Sequence, residues 1–142
     1  MEILRVDGLK FSYPNQLKKA LNNINFSIDE GDFVLICGES GCGKSTLLRH
    51  LKPELSPHGQ VSGDIYYYSQ KINDYSSKQL ASEIGYVLQN PDSQIVTDKV
   101  WHELAFGLEN MGLDTQSIRL RVAEMASFFG IQGWFRKNVN DL

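Results

Sequence analysis

At 142 residues, 42% apolar and 22% charged, the chain has the size and composition of a globular domain with a real core, which excludes a disordered polymer. A formal charge of −3 with no basic run longer than Lys18-Lys19 speaks against a nucleic-acid partner, and no stretch approaches the roughly 20 apolar residues that span a bilayer. Met1-Glu2-Ile3-Leu4-Arg5 lacks the basic and apolar regions of a signal peptide, and Cys37 and Cys42 make neither a disulfide framework nor a metal-ligand set, so a reducing, cytosolic setting is expected.

In chain order, 3–6 and 9–13 read as short strands broken at Asp7-Gly8, and 24–28 alternates apolar with polar, as in an antiparallel sheet with one wet face. Asp29-Glu30-Gly31-Asp32 predicts a tight turn into an apolar, buried strand at 33–37. The helix that follows the next loop is expected to end near Pro53. Alternation returns over 61–72, with Tyr66-Tyr67-Tyr68 read as a half-buried strand in preference to a stacking platform. Ser76-Ser77 marks a helix start, and 84–88 a second apolar strand. Beyond Pro91 the period becomes helical. Trp101, Leu104, Ala105 and Leu108 share one face, and Ile118, Val122, Met125, Ala126 and Phe129 another, so 98–130 is expected to be an αα-hairpin with Gly112 closing the first helix and Asp114 capping the second.

The chemistry is concentrated in Gly38-Glu39-Ser40-Gly41-Cys42-Gly43-Lys44-Ser45, which follows the apolar run 33–37 and leads into the helix-like Thr46-Leu47-Leu48-Arg49. Glycines at 38, 41 and 43 let successive N–H groups point inward as an anion-sized nest at the positive end of a helix. Lys44 is then placed to reach the β- and γ-phosphates of a nucleotide, and the Ser45 hydroxyl to ligate the Mg²⁺ that bridges them. Cys42 lies among those N–H groups beside Lys44, where it is expected either to react with thiol reagents or to act as an inert small filler.

With the loop placed, the whole chain resembles the N-terminal half of an ATP-binding-cassette (ABC) ATPase. Phe11-Ser12-Tyr13-Pro14 is similar to that family's aromatic loop, and Ala20 to Phe26 and Glu30-Gly31-Asp32 match its approach to the phosphate loop. The resemblance implies an α/β fold: an incomplete P-loop NTPase core, an N-terminal antiparallel β region and a small helical subdomain, divided as 1–32, 33–90 and 91–142. It also implies ATP and Mg²⁺ as cofactors, with Tyr13 stacking on adenine and Gly38, Glu39, Ser40, Gly41, Cys42, Gly43, Lys44, Ser45 and Thr46 around the phosphates. For Tyr13 the plainer alternative is an edge-strand tyrosine. Gln89-Asn90-Pro91-Asp92 is similar to the glutamine loop, in which Gln89 would contact Mg²⁺ and the attacking water, giving Lys44 and Gln89 catalytic roles and Ser45 and Gln89 metal roles.

More narrowly, 88–95 and 103–113 resemble the ATPases of energy-coupling-factor importers for vitamins and metal ions such as cobalt or nickel. There the resemblance implies a transmembrane scaffold gripped through a groove with Gln94, Trp101 and Phe106 as candidates, a second ATPase subunit as partner, and a place at the inner face of the cell membrane. Simple packing of the helical region is the alternative for Trp101 and Phe106. No residue of 1–142 matches the family's signature motif beyond its first position, its Mg²⁺-holding Asp, its water-polarising Glu or its switch His, so Mg-ATP binding without efficient hydrolysis is expected of this chain. In the family, strands that follow this region lie between the phosphate-loop strand and the strand at 84–88, so both segments are expected to be unpaired and aggregation-prone here. A nucleotide kinase or GTPase is a competing class, against which stands the lack of an Asn-Lys-x-Asp motif; an ABC ATPase outside transport and a non-catalytic nucleotide- or scaffold-binding module are two more.

Overall fold

Residues 2–12 form one strand where the sequence predicts two. β1 (Glu2–Ser12) pairs antiparallel with β2 (Leu21–Asp29) on one side and with β3 (Gln60–Tyr67) on the other. Asp7-Gly8 does not break the strand; it places a bulge. Gly8 has φ 61°, and the register slips on both sides between Val6 and Lys10. One extra residue flips the parity of the strand, which is why Val6 faces the core before the bulge and Leu9 and Phe11 after it. Gly63, at φ 93°, sits directly against it: a Cβ there would lie 2.5 Å from the Gly8 carbonyl oxygen.

The computed structural model describes residues 1–16 and 18–142, and these divide into two units, Met1–Ile84 and Gly85–Leu142. In the first, the sheet order is β2-β1-β3-β4, with β4 (Gln70–Lys71) closing a two-residue hairpin. Its turn residues Tyr68 and Ser69 have φ 43° and 66°, so Tyr68 stands in the turn while Tyr66 and Tyr67 stay half-buried in the strand. Asp29 to Asp32 makes the expected turn, the Asp29 N–H donating to Asp32 Oδ2 at 2.9 Å.

Helices α1 (Lys44–His50) and α2 (Ser77–Glu83) bring Leu47 and Leu80 onto the inward side chains Val6, Leu9, Phe11, Leu21, Ile65 and Ile72, forming the core of this unit. Ser76 and Gln79 form a reciprocal capping box at the start of α2. At its other end the Lys52 ammonium donates to the carbonyls of Leu80 (3.1 Å) and Ile84 (2.6 Å), which carry the helix's negative end.

Two expected strands are absent among the described residues. Residues 33–37 and 85–88 are not in a ladder, and the buried, apolar strand predicted at 33–37 is instead exposed, Phe33 at 94% and Leu35 at 75%. The reason is physical: a strand's N–H and C=O groups are satisfied only by neighbouring strands, and the sheet formed here leaves none beside these segments.

In the second unit α3 (Val100–Asn110) and α4 (Thr115–Phe129) make the predicted αα-hairpin. The Gly112 N–H donates to Glu109 O and the Leu113 N–H to Leu108 O, the two bonds that close a helix at a left-handed residue; Gly130 and Ile131 repeat the pattern after α4. Asp114 caps α4, accepting from the N–H groups of Gln116 and Ser117 at 3.0 Å each. The buried stripe of α4 is Ile118, Val122 and Ala126, whereas Met125 and Phe129, expected on that face, lie one flank away and are exposed. Ile118 and Val122, i and i+4 on this row, seat against Trp101, Leu104, Ala105 and Leu108, and two rows cannot both face one helix partner.

Candidate phosphate-binding site

The loop between the extended segment 33–37 and α1 turns back on itself as its glycines require. Gly38, Gly41 and Gly43 have φ 150°, 80° and 103°, and the Cys42 N–H donates to Glu39 O at 3.3 Å. Gly43 is the tightest position. A Cβ there would lie 2.5 Å from the Ala20 carbonyl oxygen and 3.2 Å from the Leu21 side chain, so the loop docks on the chain leading into β2 only because this residue has no side chain.

Lys44, the first residue of α1, folds over the loop. Its ammonium donates to the carbonyl oxygens of Gly38 and Glu39, both at 2.7 Å, and its third contact is the Cys42 sulfur at 3.6 Å. Two of three N–H donors are thus spent on fixing the charge at the centre of the turn, and the third meets only a weak acceptor. An anionic oxygen is a far better partner for that proton than a thiol. Ser45 is exposed on the first turn of α1 beside it.

Tyr13 is brought to the same helix. Its hydroxyl and that of the buried Thr46 are 3.0 Å apart, and its ring meets Phe11 edge-on at 4.8 Å. Phe11 in turn packs on His50 at 4.6 Å, and His50, 4% exposed, shares a 2.7 Å hydrogen bond between Nδ1 and the Thr46 carbonyl. The aromatic loop and the phosphate loop are therefore held together by Thr46, a linkage across 33 residues that no local pattern reveals. Tyr13 also walls an open cavity of about 720 Å³.

The remaining candidates belong to the unit Gly85–Leu142. Gln89 is exposed in the bend after 85–88, free of any side-chain bond among the described residues. Gln94 is not free to line a groove with its amide: Oε1 accepts from the Leu88 N–H at 2.7 Å and Nε2 donates to the Tyr86 carbonyl at 3.1 Å, serving this extended segment as a strand would. Trp101 is partly buried against the helical core, edge-on to Phe135 at 5.4 Å. Phe106 is exposed. Glu103, unremarked in the sequence, ties 96–97 to α3: Oε2 accepts from the N–H groups of Val96 (3.1 Å) and Thr97 (2.8 Å) and from the Thr97 hydroxyl (2.9 Å). Partial burial pushes its carboxyl up, but these bonds from Thr97 and Val96 outweigh that and hold it below its ordinary value.

Comparison with known proteins agrees with this geometry. Residues 21–141 match the ABC transporter family. A Bacillus cereus protein bearing the name ABC transporter ATP-binding protein is 44% identical over 137 residues, and a Methanosarcina acetivorans protein of the same name is 38% identical over 133; the matches cover 96% and 92% of this chain but 25% and 22% of those relatives. The chain thus spans about a quarter of their length. Among solved structures, CbiO1 from Clostridium perfringens, part of the ABC transporter complex CbiONQ, superposes with a TM-score of 0.81 at 35% identity, covering 99% of this chain and 55% of that one. The ATP-binding cassette MJ0796, bound to ADP and phosphate, shares the fold with a TM-score of 0.77 at 23% identity, over 99% of this chain and 63% of its own. With the glycine loop, its folded-over lysine and the tyrosine tied to the following helix in place, the chain belongs to the ABC transporter family.

Proposed function

We propose that this chain binds the triphosphate of ATP together with Mg²⁺, as the nucleotide-binding part of an ABC transporter subunit. The observation that carries the reading is Lys44, whose ammonium is fixed on Gly38 O and Glu39 O with one donor left over for an anionic oxygen. Ser45 supplies a hydroxyl to the metal. Among the described residues no cluster of three His, Cys, Asp or Glu side chains can hold a metal ion, so the divalent ion would depend on the nucleotide's own phosphate oxygens, as Mg²⁺ commonly does. When bound, Mg²⁺ would neutralise charge on the bridging phosphates. Glu39, Ser40, Gly41 and Cys42 would give the loop's backbone donors, Thr46 a hydroxyl, and Tyr13 the wall for the base. Gln89 is proposed to sense the terminal phosphate and metal.

The finer reading, an importer subunit of the energy-coupling-factor type that takes up a vitamin or metal ion, rests on the motifs at 88–95 and 103–113 and on the likeness to CbiO1. In it Phe106, still exposed, offers the contact to a transmembrane scaffold at the inner face of the membrane, with a second ATPase subunit as partner. No helix of the described residues is long and apolar enough to cross a membrane itself.

The test is a calorimetric titration of Mg-ATP into the purified chain and into Lys44→Ala. Losing a charged hydrogen-bond donor to phosphate is worth about 1.5–3 kcal/mol, so affinity is expected to fall about 10- to 100-fold. Equal affinities would discard the phosphate-loop reading, and co-purification with a membrane scaffold, lost in Phe106→Asp, tests the partner.

A further inference from the structure

His50 closes a circuit of four side chains that joins the aromatic loop to α1, all within the unit Met1–Ile84. The Tyr13 and Thr46 hydroxyls are 3.0 Å apart, the Thr46 carbonyl meets His50 Nδ1 at 2.7 Å, the His50 ring lies 4.6 Å from Phe11, and Phe11 meets the Tyr13 ring at 4.8 Å. Thr46, His50 and Phe11 are buried. Tyr13 is the half-buried member, and it borders the open cavity.

A carbonyl oxygen only accepts, so Nδ1 of His50 carries the proton and donates it. In the neutral ring Nε2 is then a bare acceptor, and it is buried with no hydrogen-bond partner among the described residues. An aliphatic side chain would fill this apolar place without leaving a polar atom unpaired. What the histidine adds is direction. The Nδ1 bond fixes the rotation of the imidazole, and the imidazole packs at 62° to the plane of Phe11. Gly59 also lies against Phe11, so close that a Cβ there would stand 2.6 Å from Cε2, and the confined ring passes its position on to Tyr13.

We propose that His50 is a positioning residue for the nucleotide: by holding Thr46 and Phe11 it presets the Tyr13 ring against which the base packs. The inference rests on the proposed nucleotide site, in which Tyr13 walls the base and Lys44 meets the phosphates, and adds a residue that acts on the base only through Tyr13. The bonds that fix Lys44 run to Gly38 O and Glu39 O and not to this circuit, so the phosphates bind without its help.

The experiment measures the affinities of Mg-ATP and Mg-tripolyphosphate for the wild-type chain, His50→Leu, Tyr13→Ala and the double variant, and assigns the wild-type His50 tautomer by heteronuclear NMR at mildly alkaline pH. His50→Leu is expected to weaken Mg-ATP about 2- to 10-fold, the range of one lost hydrogen bond, and to leave tripolyphosphate within about twofold. In the Tyr13→Ala background the same substitution is expected to add nothing, because the ring it acts through is gone. NMR is expected to find the neutral ring protonated at Nδ1. A ring protonated at Nε2 overturns the proposal whether or not the variant folds. So does an unchanged Mg-ATP affinity in His50→Leu, a loss matched by tripolyphosphate, or a loss repeated in full on Tyr13→Ala. The site beneath it is tested apart: Tyr13→Ala binding Mg-ATP as wild type does sinks the base wall and His50 with it, and Lys44→Ala binding tripolyphosphate as wild type does sinks the phosphate loop. A loss in Tyr13→Ala with none in His50→Leu sinks only the role of His50.

Discussion

Cys42 stands over Lys44 with its sulfur 3.6 Å from the ammonium, and its side chain is exposed. A group added to that sulfur occupies the space in which an anion would meet the lysine's remaining donor. Alkylation with N-ethylmaleimide is therefore expected to abolish Mg-ATP binding, and bound Mg-ATP to slow the alkylation. Cys37 is also exposed, so the reaction belongs in a Cys37→Ser background, followed by mass spectrometry and titration. Full modification with binding intact would end the idea. At this scale the octet 38–45 was legible in the sequence, because glycine, lysine and serine at fixed spacing have local consequences. The Tyr13–Thr46 link, the Gly43–Ala20 contact and the bonds of Gln94 to Tyr86 and Leu88 were not, since each depends on where packing carries the chain.

Elements were legible where a local signal is satisfied locally. Asp114, Ser76 and Gly112 each announce a helix end, and each does so through bonds spanning five residues or fewer. The bulge at Gly8 was misread as a break because its identity is settled by the neighbours β2 and β3, and the strand at 33–37 failed because nothing pairs with it. Glu103 is a third case, a helical carboxylate that secures the segment before α3. Held below its ordinary value of about 4.5, it binds its proton more weakly in the folded chain than in the unfolded one. The stability it contributes is therefore full above that ordinary value and is lost as pH falls through the depressed one. Glu103→Gln should accordingly lower the thermal midpoint of the helical signal at pH 7, and the gap from wild type should narrow as pH falls below that ordinary value and through the depressed one. A gap that persists undiminished in acid would assign the effect to packing in place of charge.

For the molecule as a whole, the balance lies between a small core and a set of apolar side chains that the fold leaves in water. Phe11 is buried in the first unit and touches both Tyr13 and His50, so Phe11→Ala is expected to cost about 3–5 kcal/mol and to loosen the phosphate site with it. Phe33 and Leu35 are as apolar as Phe11, but they lie on an unpaired extended segment, where they bury nothing and offer edge groups and side chains to another copy. The same kind of substitution must then act in opposite directions in the two places. Phe33→Lys with Leu35→Glu should leave the thermal midpoint and Mg-ATP affinity within error of wild type while raising the concentration at which light scattering begins, because a charge on an exposed edge opposes strand addition without removing a contact. A fall in midpoint comparable to that of Phe11→Ala would show instead that 33–37 is packed in solution, and with it that the extended segment leading into the glycine loop is held by more than the bonds described above.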